Sequence, residues 1–216
     1  MSCSRRWLQR AAVSTAFLVV AVAAPPASAQ GALDFAKVRS SSDMRRVVDW
    51  VKRNADHQGK PFAVVDKRMA RIYVFDAEGR LAGHTPVLLG STPGDHTVPG
   101  VGERAQTGSV GLDERTTPSG RFEAVPGRNI DGEHVVWADY ASAFAIHRVR
   151  PGKAWKARAL RLATASPDDN RVSYGCVVVP VAFYEQVIQS VLGTSRSVVY
   201  VMPETRPVQT LFADQQ

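Results

Sequence analysis

The sequence has 216 residues, of which 44% are hydrophobic and 22% are charged. These proportions are typical of an ordinary globular protein, and the length suits one domain with short extensions. The net charge of +7 falls to +4 when residues 1–29 are removed, because they contain three arginines and no acidic residue. This mild and dispersed positive charge argues against a nucleic-acid partner and suits an anionic polymer of the cell envelope.

The first 29 residues predict a signal peptide. Three arginines precede the apolar segment Ala11–Ala24, and Ala27-Ser28-Ala29 has the small residues of a cleavage site. We therefore expect an exported protein of the periplasm or cell envelope that begins at Gln30. The apolar segment is short for a bilayer span, so no stable membrane span is expected after cleavage. An uncleaved anchor is the alternative.

Removal of the signal peptide also removes Cys3, which leaves Cys176 as the single cysteine of the mature chain. An internal disulfide is then excluded. A lone thiol in an oxidising compartment is a liability unless it is buried or used in chemistry. Burial is the simpler interpretation, since free cysteine is among the most buried residue types.

Residues 30–59 predict a polar leader followed by a helix from Ser42 to about Asn54. The period of the apolar residues then changes to two, which predicts β-strands. A second helix, Val181–Leu192, follows Pro180 and is expected to pack against the sheet. Residues 60–203 would form the main domain and residues 204–216 a tail. The predicted strands are Phe62–Asp66, Arg71–Phe75, Arg80–His84, Pro86–Gly90, Arg121–Val125, Val135–Ala138, Phe144–His147, Val172–Val179 and Val198–Met202.

Two of these strands carry reactive side chains. Cys176 follows Gly175 at the start of a valine run, and the apolar segment Phe144–His147 ends in a histidine. A thiol on one strand and an imidazole on another can form a nucleophile pair. The chemistry needs both groups because a free thiol has a pKa of about 8.5 and is mostly protonated at neutral pH.

Four segments in this order resemble the L,D-transpeptidase family (YkuD-type catalytic domain). The resemblance covers about Phe62–Met202 and implies a mostly β fold, an L,D-transpeptidase-like β-sandwich or barrel. One packed helix would follow the cysteine strand, and an N-terminal helix would precede the sheet. The segments are the opening meander that ends at Gly90, Thr117-Pro118-Ser119-Gly120-Arg121-Phe122, Ala145-Ile146-His147, and Ser173-Tyr174-Gly175-Cys176, where the family usually has S-H-G-C.

The resemblance implies a peptidoglycan L,D-transpeptidase. Cys176 would attack the third residue of a tetrapeptide stem and expel the terminal D-alanine, and His147 would act as the base. The resulting thioester would be transferred to an amine acceptor. Backbone N–H groups of Gly175 and Cys176 are candidates for holding the oxyanion, with Ser173 and Tyr174 as supporting residues of the site.

Arg148 and Arg150 are candidates for binding stem carboxylates, because arginine pairs with carboxylates in a bidentate geometry. Asp139 is a candidate to orient His147, and Trp137 and Trp155 to line a groove. No cofactor or metal is expected, since the spacing of the histidines matches no zinc pattern.

Two alternatives remain open at this stage. A hydrolase on the same fold would pass the acyl group to water. A catalytically inactive wall-binding relative is suggested by Tyr174, since tyrosine cannot take up a proton near neutral pH.

Overall fold

The computed structural model describes residues 33–213, and within them eight strands form one sheet. The expected signal peptide lies outside the described residues. No helix among residues 33–213 has the length and apolar character needed to cross a bilayer. The strands are β1 (Phe62–Asp66), β2 (Arg71–Phe75), β3 (Leu81–Pro86), β4 (Leu89–Gly90), β5 (Gly120–Arg128), β6 (His134–Asp139), β7 (Phe144–Arg148), β8 (Arg171–Ser173), β9 (Val177–Val179) and β10 (Ser197–Val201). The helices are α1 (Ser42–Arg53), α2 (Val101–Thr107), α3 (Trp155–Ala163), α4 (Val181–Phe183, continued as a π-helix over Tyr184–Leu192) and α5 (Thr210–Ala213).

The sheet has the strand order β3-β2-β1-β10-β5-β6-β7-β9. The pairs β1–β10 and β7–β9 are parallel, and the others are antiparallel. After β3, Leu88 exchanges two backbone hydrogen bonds of 2.8 and 2.9 Å with Val178 in the opposite edge strand. β4 then pairs with β8. These bonds bring the two edges together, so the sheet is nearly closed into a barrel and the mostly β prediction is confirmed.

Alternation along the strands produces two apolar layers. Phe62 and Val64 of β1 face α1, whose Met44, Val47 and neighbouring valines are buried. The alternate residues, such as Ala63 and Val65, face the interior of the curved sheet. There they pack against Ile188 of the π-helical part of α4. The period of two on a strand therefore explains why both predicted helices find an apolar surface.

The structure differs from the predicted elements in three places. The predicted strand Val172–Val179 is interrupted, because residues 174–176 form a turn between β8 and β9. The segment 91–114, expected to be a loop, contains α2. The leader and the tail are docked to the domain: Leu33 forms a bridge with Leu81, and Glu204 is bound to Arg171.

Candidate active site

Cys176 and His147 belong to neighbouring strands of the sheet and line the same cleft. In the parallel pair β7–β9, His147 is opposite Val178. Cys176 directly precedes β9, and it packs against the small apolar cluster that contains Val178. Both side chains line one open cleft with a volume of about 580 Å³. The cleft also has walls from the α2 region, from the β5–β6 hairpin and from α3.

The Cys176 thiol is held against the start of β7. Its Sγ donates a hydrogen bond of 3.3 Å to the carbonyl oxygen of Ala143. Burial raises the pKa of the Cys176 thiol, although the backbone N–H of Ala145 and the charge of Arg150 act in the opposite direction. Within residues 33–213, no hydrogen bond joins the sulfur to His147. The structure therefore shows a neutral thiol that shares the cleft with the imidazole without being bonded to it.

The His147 ring is oriented by the backbone of the next residue. Nδ1 lies 2.8 Å from the carbonyl oxygen of Arg148. A carbonyl can only accept, so Nδ1 carries the proton and Nε2 keeps its lone pair. Burial lowers the pKa of His147 to about 4; the Arg148 carbonyl works against this shift, and Arg150 and Arg158 add to it. At neutral pH the ring is an uncharged base.

The turn that carries the thiol is closed by Ser173. Its Oγ donates a hydrogen bond of 2.7 Å to the carbonyl oxygen of Cys176 and accepts one of 3.1 Å from the backbone N–H of Gly175. Gly175 has a φ of +137°, and a Cβ there would lie 2.7 Å from the carbonyl oxygen of Thr116. Glycine is thus required both by the backbone angle and by the close approach. In this structure the Gly175 N–H is bonded to Ser173, so its predicted role in an oxyanion hole would require that bond to break, and the Cys176 N–H is the preferred candidate.

Thr117 ties this turn to the rest of the domain. Its Oγ1 donates a hydrogen bond of 2.9 Å to the carbonyl oxygen of Gly175 and accepts one of 2.8 Å from the backbone N–H of Gly90. Its own carbonyl oxygen accepts 2.8 Å from the ammonium of Lys67. This structural role of Thr117 was not predicted from the sequence. The threonine of the Thr117-Pro118-Ser119-Gly120 segment was the available signal.

Tyr174 lies at the rim of the cleft and is 43% exposed. The guanidinium carbon of Arg115 is 4.5 Å from the centre of the tyrosine ring, which is a cation–π arrangement. Arg115 is held in turn by two hydrogen bonds to the carbonyl oxygen of Val110. The Tyr174 ring therefore stacks under a cation at the rim of the cleft.

The two predicted carboxylate-binding arginines have different surroundings. Arg148 does not line the cleft; it pairs with Glu185 at 3.0 Å and with Glu133 at 3.5 Å. Acidic partners outside the cleft hold the Arg148 guanidinium in this structure, and its role in binding a carboxylate stays a prediction. Arg150 does line the cleft, and it is joined there by Arg158, which the sequence analysis missed.

Of the three remaining candidates, Asp139, Trp137 and Trp155, only Trp137 lines the cleft. Asp139 does not orient His147, because it accepts hydrogen bonds from Ser142 and from the backbone of Ala141. Trp137 lines the cleft and stacks on Tyr140 with ring centres 4.7 Å apart. Trp155 is 42% exposed and is not part of the lining.

The comparisons with known proteins give weak structural matches only. No protein-family model matches this chain, and no curated protein sequence matches it. The Ldtfm–avibactam carbamoyl enzyme is 16% identical over 67% of this chain and 49% of its own, with a TM-score of 0.38. A cysteine-to-serine mutant of the Enterococcus faecium L,D-transpeptidase is 17% identical over 66% of this chain and 50% of its own, with a TM-score of 0.35.

The catalytic domain of the E. faecium L,D-transpeptidase, solved by NMR, is 18% identical to this chain. That match covers 67% of this chain and 98% of the other, with a TM-score of 0.31. The chain spans about half the length of the first two structures. At these scores the matches describe a similarity and carry no conclusion about the reaction.

Proposed function

We propose that this protein is an exported cysteine acyltransferase that acts on the peptide stems of peptidoglycan, an L,D-transpeptidase. The observation that supports it best is the presence of a thiol and an imidazole in the lining of one open cleft, on neighbouring strands. The ordered sequence motifs around Cys176 and His147 add the substrate class. An amine acceptor on a second stem would make the reaction a cross-linking step.

The proposed chemistry begins with a proton transfer. Rotation about the Cys176 Cα–Cβ bond takes Sγ away from the Ala143 carbonyl and towards Nε2 of His147. The imidazole removes the thiol proton, and the sulfur attacks the carbonyl of the third stem residue. When the tetrahedral intermediate collapses, the imidazolium returns that proton to the amine of the departing D-alanine, and a thioester remains.

The second half reverses these roles. The acceptor amine attacks the thioester carbonyl, and His147 takes one proton from the attacking nitrogen. The C–S bond breaks, the sulfur recovers the proton from the imidazolium, and a new amide is formed. In both halves the N–H of Cys176 is the candidate donor to the oxyanion, a type of contact whose loss costs about 100- to 1000-fold in kcat elsewhere.

The test is mass spectrometry of the intact protein with a tetrapeptide stem. The wild-type protein should gain the mass of the stem without its D-alanine, and dimers should accumulate when acceptor stems are present. Cys176→Ala should show neither, and Cys176→Ser should retain the fold without forming a thioester. Cross-linking by Cys176→Ala at the wild-type rate would show that the nucleophile is wrongly assigned.

The same measurement separates the alternatives. Trimmed stems without dimers would favour a hydrolase. Binding of stems without any adduct would favour an inactive wall-binding relative, and it would contradict the proposal.

A further inference from the structure

The cleft has an excess of positive charge in its wall. Arg128, Arg150 and Arg158 all line it, whereas the acidic residue Glu114 in the lining is already bound by Arg104 at 3.0 Å. A cleft with this composition attracts anionic groups, because charges of one sign in a concave surface reinforce each other. The arrangement favours a substrate that carries a carboxylate near the thiol.

The three arginines differ in their partners. Arg128 donates 2.6 Å to the carbonyl oxygen of Gly132. Arg150 pairs with Glu133 at 2.9 Å and with Asp131 at 3.5 Å. The guanidinium of Arg158 makes no ion pair and no hydrogen bond with any group in residues 33–213. Arg158 is therefore the guanidinium of the lining that the described part of the fold leaves for a ligand.

The helix α3 holds Arg158 in this position. Leu162 lies four residues after Arg158, on the same face of the helix. Leu162 is buried against Leu88 and Val178, in a small apolar cluster that Cys176 also touches. The face of α3 that packs beside the cysteine strand is therefore the face that presents Arg158 to the cleft.

We propose that Arg158 binds a carboxylate of the donor stem and thereby selects stems that carry one. This proposal rests on the proposed function and names the substrate feature that the cleft reads. Arginine is suited to the role because its planar fork forms two parallel hydrogen bonds with a carboxylate. Two carboxylates of the stem lie next to the carbonyl that the thiol would attack, and the proposal concerns these two: the side-chain carboxylate of a diaminopimelate in third position, and the carboxylate of the terminal D-alanine.

Binding of the carboxylate would also affect the base. The charges of Arg150 and Arg158 both lower the pKa of His147. A bound carboxylate offsets the charge of Arg158, so the imidazole accepts the thiol proton more readily once the correct stem is in place. Recognition and activation would then be coupled through one side chain.

The test uses three stem peptides and two charge-removing variants. The peptides are the diaminopimelate tetrapeptide, the same peptide with lysine in third position, and the diaminopimelate peptide with a C-terminal amide. Arg158→Gln is compared with Lys156→Gln, because Lys156 is on the same helix, is exposed and does not line the cleft. Arg158→Lys keeps the charge and removes the fork.

We expect Arg158→Gln to lower kcat/KM for the parent peptide about 10- to 100-fold, mainly through KM, and Lys156→Gln to change it less than twofold. One of the two modified peptides should be insensitive to Arg158→Gln, and that peptide identifies the carboxylate. Arg158→Lys should fall between the wild type and Arg158→Gln. An equal loss with all three peptides, or no loss, would overturn the proposal.

Calorimetric binding of the same peptides to the Cys176→Ser protein needs no turnover. If the wild-type protein forms no thioester but binding still depends on Arg158, the proposed reaction fails and the carboxylate site stands. If a thioester forms and binding is independent of Arg158, the reverse holds.

Discussion

Two polar regions meet at Thr117, the buried surroundings of Lys67 and the cleft of Cys176, and they differ in how completely their charged groups are paired. In the first region Lys67 is fully buried. Its ammonium donates hydrogen bonds of 2.7 Å to Asp95 and 2.8 Å to the carbonyl oxygen of Thr117. Glu204 lies 3.6 Å from the same ammonium and is bound to Arg171. Every charge in this cluster, which we call the Lys67 cluster, has a partner of opposite sign.

Asp95 shows how complete this pairing is. Burial acts to raise the pKa of its carboxyl, but hydrogen bonds from Lys67, from Thr205 and from the backbone of Glu204 hold that pKa well below its usual range. The carboxylate is therefore ionised at any pH at which the protein is expected to be folded.

The cleft on the other side has the opposite character. Its thiol and imidazole are both uncharged, and Arg158 has no partner within residues 33–213. Incomplete pairing of polar groups in a concave surface is costly without a ligand, whereas complete pairing stabilises one structure. On the proposed function, the Lys67 cluster would hold the site in place and the cleft would receive the substrate.

Lys67→Met gives the largest expected effect on stability. Removing the ammonium leaves Asp95 and the Thr117 carbonyl buried without their donor, and breaking a buried pair in this way costs about 3–5 kcal/mol. The free energy of unfolding, measured by urea denaturation, should fall by that amount. Lys60→Met is the matched control: Lys60 pairs with Glu123 at 2.9 Å near the surface and should cost about 1 kcal/mol or less. Equal losses in the two variants would contradict the comparison.

The Lys67 cluster could not be predicted from the sequence. Lys67 occurs in a segment that predicts a turn, and Glu204 follows it by more than a hundred residues in a segment that predicts a tail. Their contact depends on the parallel pairing of β1 with β10, which brings the chain after each strand to the same edge. Periodicity identifies the strands but does not specify which of them are neighbours.

The candidate site was partly predictable for a chemical reason. Cys176 and His147 are recognisable because few residue types can form a nucleophile and its base. The sequence singled out Arg148 and not Arg158, because every arginine has the same chemistry and only the fold decides which one lines the cleft and which one has acidic partners. The Ser173 bond to the Gly175 N–H likewise depends on a turn geometry that the strand pattern did not predict.

Thr117→Val should have the next largest effect, since Thr117 connects the two regions. Valine has the same shape but leaves the Gly90 N–H and the Gly175 carbonyl without their partner. Unsatisfied buried groups cost about 1–3 kcal/mol each, so with two such groups the free energy of unfolding should fall by at least about 2 kcal/mol. Thioester formation should fall as well, because the turn that carries Cys176 loses a restraint. Thr117→Ser keeps the hydroxyl and should recover most of the activity; failure of serine to do so would show that the methyl group, not the hydrogen bonds, matters.

His147 should make stability depend on pH in a defined range. Its pKa is about 4 in the folded protein and about 6.5 when unfolded. Between these values the unfolded chain binds more protons, so the stabilising contribution is complete above about pH 6.5 and is lost as the pH falls towards 4. The free energy of unfolding should decrease by about 1–3 kcal/mol over this range because of His147. In His147→Gln the dependence should be smaller by that amount, with the other histidines unchanged as the internal control. Identical pH profiles for the two proteins would mean that the cleft does not hold the ring uncharged.

The smallest expected effect concerns Tyr174, which stacks under Arg115 at the rim of the cleft. A cation–π contact depends on the aromatic face and not on the hydroxyl, and at an exposed position it contributes about 0.5–1 kcal/mol. Tyr174→Phe should therefore keep both the stability and the rate of thioester formation within about twofold of the wild type, while Tyr174→Leu should lose up to about 1 kcal/mol of unfolding free energy. Denaturation and intact-protein mass spectrometry measure the two quantities on the same samples. If Tyr174→Phe abolished the thioester while leaving stability unchanged, the Tyr174 hydroxyl would take part in the reaction itself. The rim would then belong with the cleft, whose polar groups are left for a substrate, and not with the fully paired Lys67 cluster.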